Sequence, residues 1–325
     1  MYLDMDWDIK FYTNSQEHIL YVMQECEIIC SVDNLADTAI ITLPEAVLNE
    51  VILKDIESKI GRGSEVVIKL GYNGNLVTEF TGYVENITTN DSTLKILCED
   101  ALFLFRKTVK DIVLKPTSVA KIAQYLIAQV DPTFTLSCDY DIGYEKFTIH
   151  QATAYDVLKK LQEETAGNIY FDTATKTLHI HPPYVQKDGE AKFSMYHNMQ
   201  RSSLEYKRSI DKKVEITLES TDLSGKVRSV TVGTTGGDKK TIKIPNMSTA
   251  DMKRVAEAAL VKSTYDGYEG TFDSWLIPVV KPGYTAFIDD LDYDFKTGWY
   301  YVVAVTTSFG PSGGRRNTTL GIKLA

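Results

Sequence analysis

Three aspartates in alternation, Asp290, Asp292 and Asp294, have the spacing with which a calcium loop begins, where oxygens at every second position converge on one cation. Such a loop would need glycine at 295 and glutamate at 301, and the chain has Phe295 and Tyr301. The acids are expected instead to sit at a projecting hairpin tip, where charge discourages pairing with a neighbour. His179 and His181 are two apart in a strand-like run, so they share a face as two ligands of one metal would. Pro182, Pro183 and Tyr184 follow and supply no third ligand. The competing reading is a pair of strand histidines near solvent.

Other chemistry-bearing stretches read similarly. Residues 233–240 are glycine-rich, but Lys239 follows Asp238 and no Ser or Thr stands to hold magnesium, so a flexible loop is expected rather than a phosphate cradle. In residues 310–316, Arg315 and Arg316 lie beside Gly313 and Gly314, which could hold an anion. A hairpin tip facing solvent or a subunit is the preferred reading. Glu163 and Glu164 are adjacent on a helical pattern and point apart. With no GxSxG or HExxH pattern, neither catalytic residues nor a cofactor are expected.

The elements that hold these residues follow from period and punctuation. Strand-like runs cover 19–32 and 38–43, and runs 65–70 and 77–84 are joined by the hairpin dipeptide Asn73-Gly74, with 93–98 following. A short helix over 55–60 is expected before the break at 61–63. Apolar positions at helical spacing predict helices over 118–130, capped by Thr117, and over 153–165, ended by Gly167. A strand at 147–149 and a hairpin of 168–172 with 177–181 complete a compact α/β module. Strands return at 204–206, 213–218, 227–232 and 242–244. A helix over 248–264, capped by Ser248 with Asp251 in its first turn, precedes a β region over 271–324. The fold class is mixed α+β and β-dominated, divided as 1–105 (β), 106–193 (α/β) and 194–325 (β with one long helix).

Composition sets limits. The 325 residues carry 35 Lys and Arg against 44 Asp and Glu, a net charge of −9, which argues against a surface built to clamp nucleic acid but not against one it slides past. No run approaches the roughly 20 apolar residues of a membrane span, so no stable membrane insertion is expected. The acidic start, with no basic region before an apolar core, does not read as a signal peptide. Cys26, Cys30, Cys98 and Cys138 show no CxxC spacing and read as reduced thiols of a protein matured in the cytosol.

Two distant stretches look like copies of one unit. Gly63 overlays Gly283, Ile68 overlays Ile288, Tyr83-Val84 overlays Tyr301-Val302, and Ile87-Thr88-Thr89 overlays Val305-Thr306-Thr307. The final strands overlay loosely, with Leu94 and Ile96 against Leu320 and Ile322. A chain with two such units could build a ring of six from three copies.

The ordered set of Leu35-Ala36-Asp37-Thr38, Gly71-Tyr72, Phe80-Thr81-Gly82-Tyr83-Val84, Cys98-Glu99-Asp100, Asn168-Ile169-Tyr170-Phe171-Asp172 and Lys281-Pro282-Gly283 resembles the baseplate hub proteins of contractile phage tails, the late control protein D family. The resemblance implies two tail-tube-like antiparallel β-barrel domains flanking the α/β module. It also implies a homotrimer whose pseudo-hexameric ring joins the sixfold tail tube to a trimeric spike and leaves a channel for DNA or the tape measure protein. Partners would be the tail tube protein, the spike, other baseplate proteins and the tape measure protein. The place would be the virion baseplate, assembled in the bacterial cytoplasm. Asn73, Gly74, Asp290, Asp292, Asp294, Arg315 and Arg316 are the candidates for interface or lumen hairpins. Because the chain stops at Ala325 after its last strand, any puncturing or wall-degrading part is expected to be a separate protein. Three other readings compete. One is the scaffold of a non-contractile tail tip. Another is a cell-wall hydrolase, which needs paired carboxylates in a cleft. The third is a sugar-binding protein using Tyr265, Tyr268, Trp275 and Trp299.

Overall fold

A computed structural model describes residues 3–44, 59–89, 93–185, 187–222 and 224–324. Of the described residues 50% are in strands and 16% in helices, and fifteen of the described strands belong to one sheet. Both β ends of the sequence feed that sheet. The expected helix over 55–60 lies outside the described residues except for its last two positions.

The first β unit contains Met5–Thr13, Gln16–Ile19, Glu25–Ser31, Thr38–Pro44, Glu65–Tyr72, Asn75–Thr89 and Thr93–Glu99. Period-two alternation drives it: Cys26 and Ile28 are buried while Glu25 and Glu27 are exposed. The strand Met5–Thr13 was not among the expected ones. Asp4, Asp6 and Asp8 alternate with Met5, Trp7 and Ile9, and Ile9 and Phe11 are fully buried. The reading of this stretch as an acidic terminus hid a half-buried strand.

In the middle, helices Val119–Val130 and Ala154–Thr165 bury Ile122, Leu126, Leu158 and Leu161 against the hairpin Asn168–Asp172 with Thr177–His181. Each such leucine contributes roughly 1.5–3 kcal/mol. Two cap expectations are corrected. Ser118, not Thr117, accepts a hydrogen bond from the Lys121 amide at 3.5 Å. At the far end of the next helix, Ala166 takes the left-handed conformation (φ 55°), not Gly167. Gly167 is needed for another reason: a Cβ there would meet the Tyr140 ring at 3.0 Å and the His181 carbonyl at 3.1 Å.

The second β unit contains Glu190–Ser194, Arg201–Ser202, Glu205–Lys207, Gly267–Glu269, Thr271–Ser274, Thr285–Asp289, Gly298–Gly310 and Gly313–Lys323. Between its third and fourth strands, Val214–Thr221, Val227–Gly233 and Asp238–Ile244 form a separate three-stranded sheet, followed by helix Thr249–Ser263. Met252, Val255, Ala256 and Ala258 of that helix join the same core as the middle helices. The long helix packs on the three-stranded sheet that precedes it and through these four residues joins the core of the α/β module. The glycine-rich loop is also shorter than expected, because Asp238, Lys239 and Lys240 already lie in a strand.

Candidate functional site at the junction of the two β units

The two overlaid stretches share one backbone device. Gly63 N–H donates to the Val84 carbonyl at 2.8 Å, and Val84 N–H returns to Ser64 O at 2.8 Å. Gly283 N–H donates to Val302 O at 2.9 Å, and Val302 N–H returns to Tyr284 O at 2.9 Å. Both glycines have left-handed dihedrals, φ 90° and 85°, which a side chain would disfavour. Glu65 faces Tyr83 as Thr285 faces Tyr301. A bulge follows each valine, between Val84 and Asn86 and between Val302 and Ala304.

Just before that bulge, Val84 faces Cys98 and Val302 faces Leu320. The last strands therefore align Cys98 with Leu320, four positions away from the overlay of Leu94 on Leu320. In this alignment, Leu94 (opposite Thr89) corresponds to Arg316 (opposite Thr307).

The units meet edge to edge. The stretch Ala304 to Phe309 pairs antiparallel with Cys26 to Ser31, making one sheet of both. Arg316, fully buried, forms an ion pair with Glu79 of the first unit and donates to the carbonyls of Leu276 and Pro278. Burial raises the Glu79 pKa, while Arg316 and Lys281 pull it back. Tyr72 O–H donates to Gly314 O at 2.9 Å, and Lys281 Nζ donates to Thr78 O at 2.9 Å. Asp100 accepts from the amides of Asp37 (3.0 Å) and Leu102 (2.9 Å), and Asp37 accepts from that of Ser31 (3.0 Å). Burial raises both carboxyl pKa values, that of Asp37 to about 6. A cavity of about 440 Å³ opens where all three parts meet, with Glu79, Asp37, Lys281, His179 and Tyr170 among its lining.

The residues singled out in the sequence fall in different places. Asn73 and Gly74 form the turn of their hairpin, with φ 52° and 75°. The N-terminal strand pins that turn: Asp4 N–H donates to Asn73 Oδ1 at 2.9 Å and Gly74 N–H to Asp6 Oδ2 at 2.6 Å. Asp292 and Asp294 are exposed on the loop between Thr285–Asp289 and Gly298–Gly310. Asp290 does not project. It is buried, and its Oδ1 accepts the amides of Asp292 and Tyr293, both at 3.1 Å. Arg315 and Arg316 are likewise not at a tip, since the turn is at residues 311–312 and both lie within Gly313–Lys323. Arg316 in particular is a buried joint, which an arginine beside glycines did not suggest.

His179 and His181 do share a face, but their nitrogens bond to each other at 3.2 Å, and His181 Nδ1 meets Asp139 Oδ1 at 2.5 Å. The His179 ring stacks on Tyr170. Burial and the neighbouring His181 lower the His179 pKa. Among the described residues no group of three or more His, Cys, Asp or Glu could hold a metal. Tyr268 is buried and Trp299 packs on Phe287, so the four aromatics form no exposed row.

No protein-family model matches the chain, and no curated protein matches its sequence. Solved structures do match over nearly its whole length. The chain is similar to a tail protein from Neisseria meningitidis (14% identity, 97% of this chain and 96% of that one, TM-score 0.68). It is also similar to the 43 kDa tail protein of prophage MuSo2 from Shewanella oneidensis (14%, 98% and 98%, TM-score 0.65). A third likeness is to an E. coli type VI secretion component that itself resembles the T4 tail proteins gp27 and gp5 (10%, 98% and 77%, TM-score 0.62). The fold is that of phage tail proteins.

Proposed function

We propose that this chain is the structural hub of a contractile phage tail baseplate or a related injection system. Three copies supply six tube-like units, and the ring they form joins the sixfold tail tube to a threefold spike around a channel for DNA or the tape measure protein. One observation carries the reading: two units with the same glycine–valine backbone device sit in one chain and are joined through a shared sheet. A chain that already holds two like units edge to edge needs only the same contact between copies to close a ring. The contacts at each end would be with the tail tube protein and the trimeric spike, and the tips at Asn73-Gly74 and at Asp292 to Asp294 are available to neighbouring rings or passing cargo. The role is structural rather than catalytic, in keeping with junction carboxylates that are engaged by backbone amides and Arg316. The particle baseplate is the place of action, after assembly in the bacterial cytoplasm. Light scattering of the purified chain, alone and with a candidate spike, tests this. A mass three times 36.5 kDa is expected. A monomer under every condition would remove the hub reading.

A further inference from the structure

We propose that residues 86–89 and residues 204–207 are the two halves of a seam between copies of this chain, in a defined register. The proposal rests on the hub reading and adds to it which strands meet and which residues face each other.

The template is inside the molecule. Asn75–Thr89 and Gly298–Gly310 are the matching long strands of the two units, each paired by its first half with a preceding strand and by its second half with a following one. On the remaining side, the second half of Gly298–Gly310 receives the edge strand Glu25–Ser31. Among the described residues no strand lies against the corresponding side of Asn86 to Thr89. The second unit has the matching spare edge. Arg201–Ser202 and Glu205–Lys207 pair with Thr271–Ser274 and Gly267–Glu269 as Glu25–Ser31 pairs with Thr38–Pro44. Their other side has no strand partner among the described residues. One chain therefore carries one spare socket on its first unit and one spare edge on its second. Different patches meeting head to tail generate a ring or a filament.

The register follows from the alignment. Asn86 and Thr88 correspond to Ala304 and Thr306 across the shared bulge. Counted from the pair Phe272–Thr318, Glu205 and Lys207 correspond to Ile29 and Ser31. The pair Gly267–Ile322 is one residue out of that count and marks an irregularity near Gly270. The half-buried Leu204 and Tyr206, on the face of Ile28 and Cys30, select the first count. The intramolecular pairs Thr306–Ile29 and Ala304–Ser31 thus become Thr88–Glu205 and Asn86–Lys207 between copies. The same register places Ile87 against Tyr206 and Thr89 against Leu204. Burial agrees: Thr88, Asn86, Glu205 and Lys207 are exposed, while Ile87, Tyr206 and Leu204 are half-buried and packed on the margins of their own cores. Pairing would give both backbone edges their missing partners and close the apolar margins over one another.

The test is a pair of cysteines, Thr88→Cys with Glu205→Cys, in the full chain under mild oxidation, alone and with the candidate spike. Directly opposed residues bring their Cα atoms to about 4.5–5.5 Å, within reach of a disulfide. A ladder of covalent dimer and trimer is expected. The wild-type chain with its four native cysteines and the pair Thr88→Cys with Tyr206→Cys, one residue out of register and on opposite faces, should give background only. Both mutated sites are exposed, so folding is preserved, and slowed amide exchange at 86–89 and 204–207 on assembly provides an independent readout. A trimer by light scattering with neither cross-link nor protection overturns this seam and leaves the hub reading standing. A chain that stays monomeric and unlinked overturns both.

Discussion

Arg316 and Glu79 form an ion pair across 237 positions of sequence, with side chains only 1% and 4% exposed. The arginine stands where the first unit has the buried Leu94, so one of two like positions has become a charged bolt between units.

Removing one partner strands the other charge in the interior. Arg316→Leu is expected to cost about 3–5 kcal/mol, and Glu79→Leu a similar amount. The double variant should recover much of that loss, because a well-packed apolar pair can replace a buried ion pair at little cost. Urea unfolding of the three variants measures the cycle.

At Gly63 a methyl group has room, with Phe103 no closer than 3.8 Å, so Gly63→Ala meets only the left-handed backbone and should cost about 1–2 kcal/mol. Gly283→Ala meets the same backbone strain and also Asp188 Oδ2 at 2.8 Å. It should be the more damaging change, and thermal melts of the two variants would show the order.

Asp37 and Asp100 make the junction sensitive to pH. The folded-state pKa of Asp37 is pushed by burial to about 6, above its value in the unfolded chain. Between about pH 4 and 6 the folded state therefore holds a proton that the unfolded state has released. This contribution is complete below pH 4 and is lost as pH rises through about 6. Asp37→Asn should lose less stability than wild type between pH 4 and 7, by on the order of 1–3 kcal/mol. Denaturation curves at pH 4, 5, 6 and 7 would measure the difference. An equal or steeper loss in the variant would contradict the assignment.

Tyr72 and Tyr125 each donate a hydroxyl to a backbone carbonyl at 2.9 Å, one in the buried junction and one at the surface. Tyr72→Phe leaves the Gly314 carbonyl unsatisfied in the interior and should cost about 1–3 kcal/mol. Tyr125→Phe leaves a carbonyl that water can reach, so its effect should stay within about 0.5 kcal/mol. Equilibrium unfolding of the two single variants decides the comparison.

What could be read from the sequence was local in origin. The Asn73-Gly74 turn, both middle helices, the hairpin before Pro182 and the matched glycines 63 and 283 each announce themselves within a few residues. The burial of Arg316 does not, because its partner Glu79 and the Leu276 carbonyl come from distant segments. The destination of helix Thr249–Ser263 was equally hidden. Its apolar stripe shows that it packs on something, but only the tertiary arrangement selects the middle core. The four-position slip in the last strand has a similar cause. Leucines and isoleucines alternate there in both units, and alternation specifies a face but not a register.

The pairing of Cys26 to Ser31 with Ala304 to Phe309 also bears on how the molecule folds. The two strands lie near opposite ends of the chain, so a ribosome delivers one long before the other. Until then the edge of the first unit stays open and capable of recruiting a wrong strand. Contacts this distant in sequence slow folding, because the intervening chain must be ordered before they form. The alternating Glu25 and Glu27 on that waiting strand put like charges at the unfinished edge, a guard against premature association while the rest of the protein is made.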